Sequence, residues 1–554
     1  MTNEPMVHVA EERLLDAALG QVFARERGKA MVRRTSRWLL AALFLLGVTV
    51  TAATMWQARG ARTEPRDEAQ DPGATSIHEE VKGEGRAGIE ALPVTTTNLL
   101  AKLVDPRDLQ VVTRFEHLRA LRLWPEKSTF LGIRTGYHGS WTKPPADLLK
   151  PIAELKRLEV LRLPSELAVT PELLTPLAGH PTLREIQFVG DELNLDDGLV
   201  AAMAKIPQLR SLNLRFVPIS GDRLHALAKL PVTSLELEFC RGLDANAWRA
   251  MPSLRALQRL AIHDWDWNVV VGQSKPAPGW TPTLADLGHL QELPDLRSLE
   301  LLHCSVEDAQ LAALPDALTK LHLFGTRLTP TGLDGLRRFS QLRDLLVDTR
   351  GESSLLLARM FGPDPLPAAE ATASALQTLH LETLRYIGAL TPTVATAIGA
   401  QAGLRDLTIE CKEPEPGTVA LLLANLKLHR LAWQGTLGPD AESAAPERSA
   451  LRDLLAAVKN QPELRELELR ARALVDVAAL ANVPRLERLT LTLTQWGDGM
   501  TPALLAPLRR STSLQDVFLH NYIEQDTEPP SAAALQSALG ERIRLHRHVS
   551  RIAR

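Results

Sequence analysis

The run HDWDWN at residues 263–268 sets an imidazole beside two carboxylates and two indoles, the residue types of a general acid–base pair or a metal-binding corner. Acid–base catalysis also needs a nucleophile or second base aimed at the same atom, and no such partner stands nearby in the sequence. Further along come His322, Phe324, His380 and Glu382, a mixture that could hold a metal only if neighbouring strands brought the side chains together. A long insertion separates His322 from His380, so no metal site and no cofactor are expected. The chain has no GxxxxGK[ST] phosphate loop, no GxSxG nucleophile turn, no HExxH helix and no kinase signature, and no enzymatic function is expected. Its three cysteines, Cys240, Cys304 and Cys411, are too scattered for a disulfide framework or a tetrahedral zinc site.

These residues hang on a periodic frame. The spacing Leu, two residues, Leu, one residue, Leu, with occasional apolar substitutes, starts at Leu118 and returns at Leu158, Leu183, Leu209, Val232, Leu257, Leu296 and Leu318. It continues from Leu342, Leu376, Leu404, Leu428, Leu464, Leu486 and Leu514. Fifteen copies, mostly 22–28 residues apart, do not arise by chance. In each Leu-x-Leu step the leucines point to one face of a strand and the residues between and beside them to the other. Segments such as DDGLVAAMAKIPQL and SGDRLHALAKL then read as short amphipathic helices with a polar start. One such coil cannot bury its own leucines, whereas stacked coils can.

The pattern resembles the leucine-rich-repeat superfamily from about residue 98 to about residue 523. The resemblance implies an α/β fold, a leucine-rich-repeat solenoid or horseshoe of about 15 coils, with a parallel sheet on the concave side and helices on the convex side. It also implies ladder residues, three positions after the third leucine, that hydrogen-bond backbone between coils. Cys240, Cys304 and Thr326 stand there, Val217 and Lys412 depart from the pattern, and Cys411 falls one position short.

The residues that the leucines leave free would read a partner. The middle strand position runs Arg122, Arg162, Gln187, Asn213, Glu236, Ala261, Glu300, His322, Leu346, His380, Thr408, Ala432, Glu468, Thr490 and Phe518. This face begins basic, turns acidic, and in its middle offers His263, His322, Phe324, His380 and Glu382. Such a mixture suits a protein or peptide ligand better than a polyanion, and 63 basic against 66 acidic residues give no overall field for nucleic acid. Four connections, near 125–149, 264–286, 348–372 and 435–448, exceed the usual coil length. The first carries Tyr137 and Trp141 and the second Trp265, Trp267 and Trp280, either binding anchors or lids over their own coils.

The termini set the location. Residues 38–56 are an uncharged run of 19 with a Trp at each end, long enough for one transmembrane helix. Arg25, Arg27, Lys29, Arg33, Arg34 and Arg37 precede it against Arg59, Arg62 and Arg66 after it, which keeps the N-terminus in the cytoplasm. A cleaved signal peptide is the alternative, with an unusually long charged region. The expected order is a cytoplasmic segment with an amphipathic helix (1–37), the anchor (38–56), a polar linker (57–91), the repeats (92–525) and a capping helix (526–554). Thr97 or Asn98 would cap a first helix. The Leu, Ala and Arg bias suggests a GC-rich bacterial genome, which would put the repeats in the periplasm or at the cell surface. The expected function is a non-enzymatic, membrane-anchored scaffold that recognises a protein or an envelope ligand through the concave face or the aromatic insertion loops. A transmembrane regulator working through the N-terminal helix, or an enzyme with a site assembled across coils, are the alternatives.

Overall fold

The computed structural model describes residues 81–103, 106–125, 146–164, 167, 169–190, 193–240, 242–263, 284–302, 304, 306–326, 328–349, 366–411, 414, 417–435, 444–471, 477–493, 502–524 and 531–552. Nearly all of these belong to one compact unit formed by 64–523 and 528–550. Residues 1–37, the expected anchor 38–56, and Tyr137, Trp141, Trp265, Trp267 and Trp280 lie outside the described residues. Among the described residues no helix is long and apolar enough to cross a membrane.

The described residues build one sheet of eighteen strands. They are β1 Val81–Glu84, β2 Asn98–Leu103, β3 Ala120–Pro125, β4 Val160–Leu163, β5 Glu185–Val189, β6 Ser211–Arg215, β7 Ser234–Glu238, β8 Arg259–His263 and β9 Ser298–Leu302. Then follow β10 Lys320–Phe324, β11 Asp344–Asp348, β12 Thr383–Ile387, β13 Asp406–Cys411, β14 Arg430–Gly435, β15 Glu466–Ala471, β16 Arg488–Leu493, β17 Asp516–Glu524 and β18 Arg544–Ile552. From β1 to β17 each strand pairs parallel with the next in sequence, with the leucine positions in register, as Leu299, Leu321 and Leu345 show.

Register is fixed where each coil enters its strand. One carbonyl of the preceding coil accepts two successive N–H groups: Arg210 and Ser211 donate to Arg184 at 2.9 and 3.0 Å, and Thr319 and Lys320 to Arg297 at 2.8 and 3.0 Å. Along each strand one residue faces the core and the next the open face, so β10 buries Leu321 and Leu323 completely while His322 and Phe324 stay half-buried. The inward residues join a single apolar core running from Ile89 to Ile543. Each buried leucine there contributes about 1.5–3 kcal/mol. Short returning helices close the coils, and polar side chains cap their first turns: Asp196 accepts from Leu199, Ser220 from Arg223, Thr329 from Thr331.

Four expectations are corrected. First, the copy read as Leu376/Leu379/Leu381 is offset by five positions. Leu376 ends the helix Leu366–Leu376, and the strand is β12, with Leu384 and Tyr386 inward. Tyrosine at the third leucine position hid the true match, and it is tolerated there because its buried hydroxyl donates to the Ala389 carbonyl at 2.7 Å. Arg385 therefore takes the middle position assigned to His380. Second, Asn98 opens a strand and caps no helix, because Leu99 and Ala101 alternate inward and complete the hydrogen bonding of β3. Third, part of the expected linker is structured, as β1 and the helix Gly85–Glu90, which cover the outer side of β2. Fourth, the closing segment is a helix only over Ala532–Leu539. Gly540 ends it in the left-handed region at φ 82°, and β18 follows, with Ile543 buried and Leu545 packed against the core. The Arg544 N–H donates to the Gln515 carbonyl at 2.8 Å, repeating the rung at earlier coils.

The ladder is partial. The Cys240 thiol donates to the Leu214 carbonyl at 3.1 Å and the Cys304 thiol to the Ile262 carbonyl at 3.6 Å. Burial pushes the Cys240 thiol pKa far up, so it stays protonated. Thr326 is buried, but its hydroxyl has no hydrogen-bond partner among the described residues. Buried polar side chains also close a turn or join one coil to the last. The His180 Nδ1 accepts from the Leu183 N–H at 3.1 Å, and Gln461 donates to the Leu423 carbonyl at 2.8 Å while accepting from the Leu428 N–H.

Candidate functional site

Every strand of five residues presents three outward positions, and from β6 to β11 these carry a continuous line of charge. Asn213 on β6 donates to Glu238 Oε1 on β7 at 2.9 Å, and Arg215 stands 3.7 Å from Glu238 Oε2. Glu236 lies between His263 (3.6 Å) and Arg259 (3.7 Å), both on β8. Arg259 reaches across to Glu300 on β9, with two nitrogens on Oε1 at 2.9 and 3.2 Å. Glu300 is flanked in turn by Lys320 (3.6 Å) and His322 (3.7 Å) on β10, and both continue to Asp344 on β11 at 3.3 and 2.9 Å. Parallel pairing places these side chains about 4.8 Å apart per strand, which lets each group meet two neighbours.

The line is largely withdrawn from solvent. The Glu300 side chain is fully buried and that of Glu238 is 2 % exposed, while Arg259 and Lys320 are each about a quarter exposed. Burial alone would raise the Asp344 carboxyl pKa, but the hydrogen bond and charge of His322 and the Lys320 ammonium outweigh it and hold the pKa below the ordinary carboxylate range. Opposite Glu236 the strand β8 offers only Ala261, whose small side chain leaves space above the sheet for its longer neighbours.

At the ends of β6 and β7 the backbone does something unusual. Phe216 and Phe239 adopt left-handed conformations at φ 61° and 53°, where the coils after β5, β10 and β12 place Gly190, Gly325 and Gly388. A bulky residue there costs about 1–2 kcal/mol. The rings stack with centroids 5.2 Å apart, and the Arg215 guanidinium lies 5.1 and 5.5 Å from the two centroids. The strain is thus retained at two successive coils, under half-exposed aromatics.

Of the residues singled out from sequence, Glu236, His263, Glu300 and His322 meet in this one line, and Phe324 borders it on β10. Arg122 and Arg162 pair as neighbours on β3 and β4, two strands short of the line, and Arg122 donates to Asn98 Oδ1 at 2.8 Å. His380 and Glu382 are exposed in the turn before β12 and do not belong to the face. Sequence reasoning missed Arg215, Glu238, Arg259, Lys320 and Asp344, because it followed the middle position of each strand along the whole sheet and the flanking positions only at His263 and Phe324. Their signal is the charge two places before and after that position.

No family profile matches this chain, and no curated protein does. Among solved structures it is similar to an internalin, inlF, from Listeria monocytogenes, at 14% identity over 64% of this chain and 83% of that one, with a TM-score of 0.29. It is similar to a chain of the TLR13–ssRNA13 complex at 14% identity over 83% of this chain and 82% of that one, with a TM-score of 0.35. The sequential parallel strands, the inward leucines and the short returning helices define the fold alone: stacked leucine-bearing coils with the architecture of a leucine-rich-repeat solenoid.

Proposed function

We propose that this chain is a non-enzymatic binding protein, held at a membrane by residues 38–56, that recognises a protein or peptide ligand through the open face of its sheet. The observation that carries the reading is the line of ion pairs from Glu236 to Asp344, with the Arg215–Glu238 pair beside it and half-buried aromatics at its border. Its charges alternate in sign and are held by one another, so a ligand of complementary mixed charge meets groups already in place. A polyanion would need a strip of one sign, which this face does not offer. The bias of positive charge before residue 38 supports a placement of the repeats on the far side of the membrane, in the periplasm or at the cell surface of a bacterium.

The test starts from the full chain in its native membrane, with covalent capture and identification of the bound polypeptide. Affinity of that ligand for His322→Ala and Phe239→Ala chains should fall at least about tenfold, the range of an interface anchor. Arg249→Ala, on the helical side, should leave it unchanged. Loss on replacing Trp265 and Trp267 with no effect at His322 or Phe239 would move the interface to the insertion and defeat the open-face reading. Capture of nucleic acid alone would defeat the ligand class.

A further inference from the structure

The pairing of β7 with β8 gathers three metal-ligating side chains that the sequence keeps apart. We propose that Glu236, Glu238 and His263 form a binding site for a divalent cation of the zinc class, in addition to the ligand-binding surface proposed above. One ligand atom from each residue lies within 4.8 Å of the other two. In a tetrahedral zinc site with bonds of about 2.0–2.1 Å, ligand atoms sit about 3.4 Å apart, so small side-chain rotations close this trio around an ion. All three side chains stand on the backbone of paired strands, with Glu238 directly in register with His263. Rigid elements of that kind hold a coordination geometry better than loops do.

Charged and polar neighbours border the trio. Arg259 approaches Glu236 to 3.7 Å and makes bonds at 2.9 and 3.2 Å to Glu300. Arg215 stands 3.7 Å from Glu238 and lies against the Phe216 and Phe239 rings. Both contacts, with the Asn213 amide on Glu238 Oε1, resemble the outer partners that orient metal-binding carboxylates. An imidazole among two carboxylates selects zinc-like ions, because calcium and magnesium take oxygen donors. Three protein donors leave one position for water or for a donor on the bound partner.

The measurement uses the full-length chain without an affinity tag, stripped with a chelator and dialysed against zinc, with metal per chain read by mass spectrometry. The expected result is one zinc per chain, bound at least about tenfold more weakly by Glu238→Gln and His263→Gln. His225→Gln, at an exposed histidine on the helical side, should bind zinc as the parent does. Equal zinc in the parent and both ligand variants, or none in the parent, overturns the site. Should a variant fail to fold, the parent decides: zinc must protect His263 from diethyl pyrocarbonate in peptide mapping. Equal labelling with and without zinc refutes the proposal.

Discussion

Replacing Glu300 by Ala probes the charged line at its most buried point. Its carboxylate is fully buried, accepts two Arg259 nitrogens at 2.9 and 3.2 Å and lies 3.6 Å from Lys320. Removing one partner of a buried ion pair costs about 3–5 kcal/mol, because the remaining charge stays desolvated. Here the stranded cations keep partial company. Arg259 retains Ser234 at 3.3 Å and Glu236 at 3.7 Å, Lys320 retains Asp344 at 3.3 Å, and both are about a quarter exposed. The loss should therefore fall at the low end, about 3 kcal/mol. Glu300→Gln should cost less, since the amide oxygen still accepts from Arg259. Repeat arrays need not unfold as one unit, so denaturation followed by circular dichroism should be joined to hydrogen exchange in β8, β9 and β10. A double-mutant cycle with Arg259→Ala should return a coupling of at least about 1 kcal/mol. A loss below about 1 kcal/mol for Glu300→Ala, with exchange in those strands unchanged, would refute the idea of a desolvated, pre-arranged line.

Tyr386, Gly242 and Asp516 give three further outcomes. Tyr386→Phe should lower stability by about 1 kcal/mol through the lost bond to Ala389 while His380→Ala changes it by less than about 0.5 kcal/mol, and the reverse order in denaturation midpoints would restore the rejected register. Gly242→Ala should destabilise by more than about 2 kcal/mol, since φ is 82° and a Cβ would collide with the Ile219 carbonyl oxygen; an unchanged thermal midpoint would contradict this. Burial would raise the Asp516 pKa, but hydrogen bonds from His546 and Arg544 hold it below the ordinary carboxylate value. The stability this contributes is present above the unfolded-state pKa of about 3.9 and is lost as pH falls through the lower folded-state value. Acid titration of melting should show that loss in the parent and a shallower one in Asp516→Asn.

The leucine spacing made the frame legible because the core repeats the same physical demand in every coil: two inward aliphatics per strand and one before it. It failed where another residue met that demand. Tyr386 fills a leucine site with a satisfied hydroxyl, and Leu376 and Leu379 happen to imitate the pattern upstream of it. The end strands failed for a related reason. A run as short as NLLAKL in β2 fits helix and strand alike, and only the neighbouring edge of β3, with hydrogen bonds to satisfy, decides. At the site, Glu236, Glu300 and His322 were readable as outward residues. Their joining was not, because Arg259 meets Glu300, and His263 meets Glu236, only through the register of adjacent coils. Phe216 and Phe239 carry no sequence mark of their backbone, which follows from the bond each N–H makes to the next coil, to the Glu238 and His263 carbonyls at 2.8 Å.

Site-specific photo-crosslinking on the full chain in its native membrane tests the central claim most directly. Crosslinkers at positions 322 and 385, on the open face, should trap one polypeptide species, and crosslinkers at positions 223 and 249, on the helical side, should not. Trapping from the helical side with none from the open face would contradict it.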